Sequence, residues 1–257
     1  MTLPWLDPDR VGFPPTSNIL EDPNGLLAAG GALTPEWLLF AYSQGIFPWY
    51  NEGDPILWWS PAPRMVIYPK QLHISRSLRK ALKKMDYTVT INHDFNGVIN
   101  ACSEPRAAQT PDDAGDTWIS QDMKQAYNRL HRLGFAHSVE VWQPSSLEER
   151  SSGNTSENTL VGGLYGIALG QVFFGESMFS RVANASKIAI SHLASYLDTL
   201  DYQLIDCQIH NPHLESLGGV EITREAFEQT LQKYAQGPLS TENTQHWQAK
   251  TLINPFI

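Results

Sequence analysis

The chain reads as an α/β (α+β) protein, and three observations carry that reading. From about Leu72 onward, stretches with helical apolar spacing alternate with short runs of strand character. Several strand-like runs follow one another directly, which favours antiparallel neighbours. The first 70 residues differ from the rest, being rich in Pro, Gly and Trp. A chain of 257 residues is long enough to bury one large core or two smaller ones, and no internal repeat is visible.

Taken in order, the clear helix of the first part runs from Pro35 to Gln44. Thr34 is its N-cap, Pro35 its first helical residue, and Gly45 its stop. Ser75 to Met85 places Ile74, Leu78, Leu82 and Met85 on one stripe and basic residues elsewhere, the pattern of a surface helix. A strand over Tyr87–Ile91, a helix over Phe95–Ser103 and a polar loop over Glu104–Asp116 follow. Next come a helix over Ser120–Leu133, a strand over His137–Trp142, and the Ser-, Asn- and Glu-rich stretch Pro144–Asn158, read as a long hairpin loop or an insertion. Leu160 to Val172 reads as two short apolar strands around a Gly turn. Ser180, Asn184 and Ser186 then open a helix over Lys187–Leu200, followed by a strand over Gln203–Gln208 and helices over His213–Leu217 and Arg224–Ala235.

Composition bounds the function. Hydrophobic residues at 42% and charged residues at 18% suit a soluble globular protein, and no apolar run approaches the length of a membrane span. The first residues lack the basic start and apolar centre of a signal peptide. Two cysteines, Cys102 and Cys207, make no disulfide framework, and the expected location is the cytoplasm. A formal net charge of −9 opposes bulk attraction to nucleic acid. The charge is uneven, however. Pro55 to Met85 contains no Asp or Glu but holds Arg64, Lys70, Arg76, Arg79, Lys80, Lys83 and Lys84. Such a window reads either as a track for phosphates or as a solvated basic face.

Two islands carry the chemistry. Phe173 to Arg181 puts a single carboxylate, Glu176, among Phe173, Phe174, Phe179, Met178, Ser177 and Ser180. Glu176 reads either as a functional carboxylate at the rim of an apolar cavity or as the partner of Arg181 in a core hairpin. In the second island, Leu204 to Gln208, Asp206 and Gln208 stand two residues apart on an apolar strand and therefore share a face. Buried polar groups need partners, and an apolar pocket with a few convergent polar groups is the usual form of a small-ligand site. Cys207 should point away from both and reads as core. His210 and His213 lack the second ligand pair of a metal site, so none is expected. Trp49, Trp58 and Trp59 are dense for so short a span, fit for packing or for stacking on an RNA base.

The order of motifs resembles one family along nearly the whole chain. The matching stretches include Glu21–Ala28, Gly45–Tyr50, Leu57–Pro61, Leu72–Ser77, Thr117–Ile119, Gly134–Trp142, the Gly175 run and the Asp206 strand. The chain is similar to the leucyl/phenylalanyl-tRNA–protein transferases. This resemblance implies an acetyltransferase-like (GNAT) domain over 71–257 behind a small N-terminal domain over 1–70. It implies transfer of Leu or Phe, with Met as a further donor, from aminoacyl-tRNA to the N-terminal Arg or Lys of acceptor proteins, an N-degron mark, with no cofactor, metal or membrane. Asp206 and Gln208 correspond to the catalytic pair, and Glu176 to the group that positions the aminoacyl amine or ester. Leu164, Phe173, Met178 and Ile205 correspond to the side-chain pocket, with Leu164 standing where some relatives have Met. Trp49, Trp118 and Tyr127 fall at positions near the aminoacyl-adenosine end, and Arg76, Arg79, Lys80, Lys83 and Lys84 would grip tRNA.

That chemistry is modest in its demands. The ester joining an amino acid to tRNA is already activated, and attack by an amine needs no ATP, metal or covalent enzyme. It needs orientation, a proton relay and support for the oxyanion. A neutral amide such as Gln208 hardly binds a proton, but its carbonyl accepts a hydrogen bond from the amine, and Asp206 would orient and polarise that amide. Two other classes compete. An acyl-CoA-dependent acetyltransferase would need a phosphate cradle at a helix start, whereas the nearest stretch, His131–Ala136, lies at a helix end. A non-catalytic tRNA-end binding module would leave Asp206 and Gln208 without a task.

Overall fold

The computed structural model describes residues 3–84, 86–105, 119–145, 157–235 and 246–257. Met85 and Trp118 lie outside them, as do most of the two polar stretches before Ser120 and before Asn158. Two sheets organise the rest. The smaller one has the order β1 (Trp5–Leu6), β2 (Leu26–Gly30), β4 (Leu57–Trp59), β3 (Phe47–Pro48). The larger runs β11 (Val220–Ile222), β5 (Arg64–Ile67), β10 (Leu204–Gln208), β9 (Val172–Ser180), β8 (Asn158–Leu169), β7 (Ala136–Pro144), β6 (Thr88–Ile91), β12 (Lys250–Thr251). Residues 64–67, compositionally part of the first segment, thus belong to the large sheet.

Among the described strands of that sheet, β9 and β10 form the parallel pair. A parallel neighbour requires a crossover, and the helix Ala185–Thr199 (α5 in chain order) supplies it. The other helices are α1 (Pro35–Ser43), α2 (Arg76–Leu82), α3 (Phe95–Cys102), α4 (Gln121–Arg132), α6 (Pro212–Glu215) and α7 (Arg224–Tyr234). Thr34 caps its helix as the sequence predicts, accepting from the Trp37 N–H. Ser75 and Ser120, read as helix residues, are the N-caps of theirs, accepting from the N–H groups of Leu78 and Met123. The basic helix is shorter than expected and ends at Leu82. No helix among the described residues is long and apolar enough to cross a membrane.

Alternation along the strands sorts the core into two clusters on opposite faces of the large sheet. Leu204, Phe174, Tyr165 and Val66 join α1, α3 and α4 in one cluster, while Ile205, Phe173, Leu164 and Ile67 join α5 and α2 in the other. The first cluster is continuous from Trp37 and Trp58 of the N-terminal segment to Phe174.

One expectation fails for a clear reason. The glycines between Leu160 and Val172 do not turn the chain within that stretch. β8 runs unbroken to Leu169, and the turn falls at Gly170, whose φ of 55° is in the left-handed region. Gly162 and Gly166 are needed for closeness instead. A Cβ at Gly162 would stand 2.4 Å from that of Ala185, and one at Gly166 would stand 2.2 Å from the Phe174 carbonyl oxygen. Helix α5 and strand β9 can approach β8 only where the side chain is absent.

Candidate active site

The site forms where β9 and β10 part. Their ladder pairs Leu204 with Val172, Ile205 with Phe173 and Asp206 with Phe174, and stops there. Each strand then carries a bulge. Tyr165 pairs with Ser177 and Gly166 with Gly175, leaving Glu176 as the extra residue of β9. On β10, Asp206 pairs with Val66 and Gln208 with Met65, leaving Cys207 as the extra one. Bulges re-aim side chains, and here they do so in two ways.

The first concerns polar groups. Glu176 turns into the first cluster and is 8% exposed. Its Oε2 accepts from the Tyr127 hydroxyl at 2.6 Å, and its Oε1 accepts from the Gln208 amide Nε2 at 3.0 Å. The Tyr127 hydroxyl is in turn 2.6 Å from that of Tyr42, so helices α4 and α1 both reach the carboxylate. Burial, reinforced by the nearby charge of Asp206, lifts the Glu176 carboxyl to about 7, against the opposing pull of the two tyrosines and Arg64. Burial also pushes the Tyr127 and Tyr42 phenols well above their usual range, so both stay protonated.

Asp206 is fully buried and is gripped by Arg64, whose Nε and Nη2 donate to its two oxygens at 2.8 and 2.7 Å. The guanidinium lies over the rings of Phe47 and Phe227. Contrary to expectation, Asp206 does not orient Gln208 through the side-chain amide. Its Oδ1 instead accepts the Gln208 backbone N–H at 3.0 Å. That bond holds Gln208 at φ 66°, a conformation unfavourable for a side chain of this size. With its Nε2 committed to Glu176, the amide keeps its carbonyl oxygen to accept.

The second consequence is apolar. Phe173 and Met178 are five residues apart, an odd number that would place them on opposite faces of an unbroken strand. The extra residue at Glu176 restores them to one face. Met178 packs against the second cluster together with Phe173, Leu164 and Ile205. Leu164 pairs directly with Met178, and Ile205 with Phe173. The predicted pocket residues therefore gather on the face opposite the carboxylates, with the half-buried Met178 at the margin.

The structure corrects some expectations and locates the other predicted residues. Arg181 pairs with Glu104, not Glu176. Glu176 is buried rather than at a rim. Tyr127 is fully buried as a hydrogen-bond donor to Glu176. Trp49 stands 44% exposed beside Trp59, whose indole N–H donates to the Trp49 carbonyl at 2.7 Å. Trp118 lies outside the described residues. Arg64 leaves the basic window entirely, and Lys70 lies 3.9 Å from both Asp198 and Asp201. Arg76, Arg79, Lys80, Lys83 and Lys84 are exposed, and none forms an ion pair among the described residues. Cys207 is half-buried against the second cluster, and burial together with Asp206 drives its thiol far above the range of a nucleophile. Arg64, Tyr42 and Tyr165 are site neighbours that sequence reasoning does not find. For Arg64 a signal exists: it is a lone cation opening the apolar run Met65-Val66-Ile67.

Family models match two spans of the chain. One is described as leucyl/phenylalanyl-tRNA protein transferase and covers residues 66–232, and the other, covering residues 31–62, as that protein's N-terminal domain. The leucyl/phenylalanyl-tRNA–protein transferase of Chromohalobacter salexigens is 53% identical over 93% of this chain and 86% of its own length. That of Cellvibrio japonicus is 50% identical over 95% of this chain and 96% of its own. That of Pseudomonas aeruginosa is 50% identical over 92% and 96%.

Proposed function

The chain belongs to the leucyl/phenylalanyl-tRNA–protein transferase family, and from that premise we propose that it moves a leucyl or phenylalanyl group from tRNA to the N-terminal Arg or Lys of acceptor proteins. Methionyl is a further donor, and the new N-terminus marks the acceptor for degradation. The observation that carries this reading is the parting of β9 and β10, which sets Glu176 and Gln208 on one side and Leu164, Phe173, Met178 and Ile205 on the other. The aminoacyl side chain would enter the apolar set while its ester faces the polar one.

In this mechanism the acceptor's neutral α-amine attacks the ester carbonyl carbon. The C–N bond forms, the tetrahedral intermediate collapses, and the C–O bond to the ribose breaks. The amine nitrogen loses a proton and the ribose oxygen gains one. The Gln208 carbonyl accepts from the attacking amine and aims it. Glu176, poised near neutrality, holds the aminoacyl end and Gln208 together. Asp206, through the backbone of Gln208, and Arg64, through Asp206, are positioning residues. The exposed basic residues of α2 and its end would hold tRNA phosphates.

Two finer readings accompany this one. The large sheet is read as acetyltransferase-like, with the splayed parallel pair as its support, and the boundary with the N-terminal domain is placed between Trp59 and Arg64. An acyl-CoA donor is disfavoured because His131–Ala136 spans the C-terminal end of α4, the negative end of the helix dipole, which disfavours phosphate. The test is transfer of labelled leucine from leucyl-tRNA to an Arg-initiated peptide without ATP or acetyl-CoA. Transfer is expected. Its absence, with acetyl-CoA-dependent acylation of the same peptide, overturns the proposal.

A further inference from the structure

Residues 246–257 form a strap along the β6 edge of the large sheet. β12 pairs antiparallel with β6, Leu252 donates to the Val89 carbonyl at 2.8 Å, and Asn254 donates to that of Leu82 at 2.8 Å. The carbonyl of His246 accepts from the Tyr196 hydroxyl and from Lys250. Near its start the strap buries Trp247, which is 5% exposed. The indole stacks on His137 with centroids 4.1 Å apart and planes 12° apart, and on Phe173 at 5.7 Å and 24°. Its N–H donates to the Tyr202 hydroxyl at 3.1 Å, and the Asn92 amide donates to its carbonyl. Both rings of the His137 stack are uncharged, because burial holds the imidazole well below its usual pKa. Trp247 lies outside both spans matched by the family models.

Phe173 is the residue through which Trp247 reaches the site. The Phe173 ring crosses Gly166 so closely that a Cβ there would stand 2.5 Å from its Cε1. With the Gly166 backbone on one flank and the indole on another, the ring is confined to one orientation. We propose that Trp247 determines donor specificity by fixing Phe173, so that the strap sets the depth of the apolar pocket. This inference rests on the donor-pocket reading given above. Shrinking the indole frees Phe173 to recede, which deepens the pocket and favours the larger donor side chain. Trp247 is thus a positioning residue that touches no reacting atom.

The experiment measures kcat/KM for leucyl-tRNA and phenylalanyl-tRNA with the full-length wild type, Trp247→Phe, Trp247→Leu and Phe173→Ala, each checked for cooperative thermal unfolding. The Trp247 variants should raise the phenylalanyl-to-leucyl ratio by about tenfold, the discrimination expected of one or two methylenes in an apolar pocket. KM for the acceptor peptide should stay constant. An unchanged ratio, or an equal loss with both donors, overturns the inference and leaves the strap a purely structural element. If Trp247→Leu does not fold, Trp247→Phe, which keeps an aromatic ring, decides. Phe173→Ala separates the two levels. A ratio altered there but not in the Trp247 variants defeats this inference alone, while a ratio unaltered there defeats the donor pocket as well.

Discussion

Arg64 and Asp206, 142 positions apart in the chain, meet as a two-pronged ion pair in which both side chains are essentially sealed from solvent. Removing one member strands the other. Asp206→Ala or Arg64→Ala should each cost about 3–5 kcal/mol of stability, because an uncompensated charge stays buried. The double variant Arg64→Met/Asp206→Leu should recover most of that loss in urea denaturation. It should not recover transfer activity, since the Gln208 N–H would still lack its acceptor. Recovery of both would reduce the pair to a structural element.

Gln208→Glu brings a second carboxylate to the atom that now sits 3.0 Å from Glu176. Two carboxylates at that separation resist joint ionisation. Transfer should drop at pH 8 by about a hundredfold, the scale of losing a positioned acid–base group, and partly return at pH 6 as the pair takes up a proton. Higher activity at pH 8 would mean that position 208 acts as a base rather than as an orienting amide.

Folding lifts the carboxyl of Glu176 from its ordinary value of 4.5 to about 7. Between those values the native state binds more protons than the unfolded chain, so this group makes stability fall as pH rises, and its effect levels off above about 7. Glu176→Gln removes the effect while keeping the shape. Denaturant midpoints should therefore shift in favour of the variant, relative to wild type, between about pH 4.5 and pH 7.5. A difference independent of pH would contradict the burial of an ionisable group at this position.

Replacing Arg76, Lys80 and Lys83 by Ala should weaken binding of different tRNAs alike, because phosphate contacts position without reading sequence. The log–log salt slope should flatten by roughly 0.7–0.9 for each phosphate no longer neutralised. Wild-type affinity with an unchanged slope would make this a solvated face.

Much of this fold is legible in the chain. The cap at Thr34 and the apolar spacing after Ser75 and Ser120 place three helix starts, and the apolar runs at Val139 and Ile205 place core strands. The bulges are less visible. An extra residue at Glu176 or Cys207 leaves no local signature, because it is dictated by the partner strand's register. The spacing of Asp206 and Gln208 predicts a shared face, but the extra residue at Cys207 shifts the register between them, and the contact between them runs through the backbone. Arg64 escapes for a related reason: charge counted along a segment does not distinguish a cation in solvent from one drawn inside by a distant carboxylate. Glycine in β8 suggests a turn because its two uses, unusual dihedral angles and tight approach, look the same in one dimension.

Where β5 lies bears on how the protein matures on the ribosome. It is laid between β10 and β11, both made long after it, whereas β6, β7, β8 and β9 pair with one another in chain order. Contacts of such long sequence separation close late. A nascent chain therefore builds its central meander first and waits with Arg64 unsatisfied until residues 204–222 have emerged. Chains cut short before that point would display an unpaired sheet edge and a lone cation, and would be prone to associate through that edge.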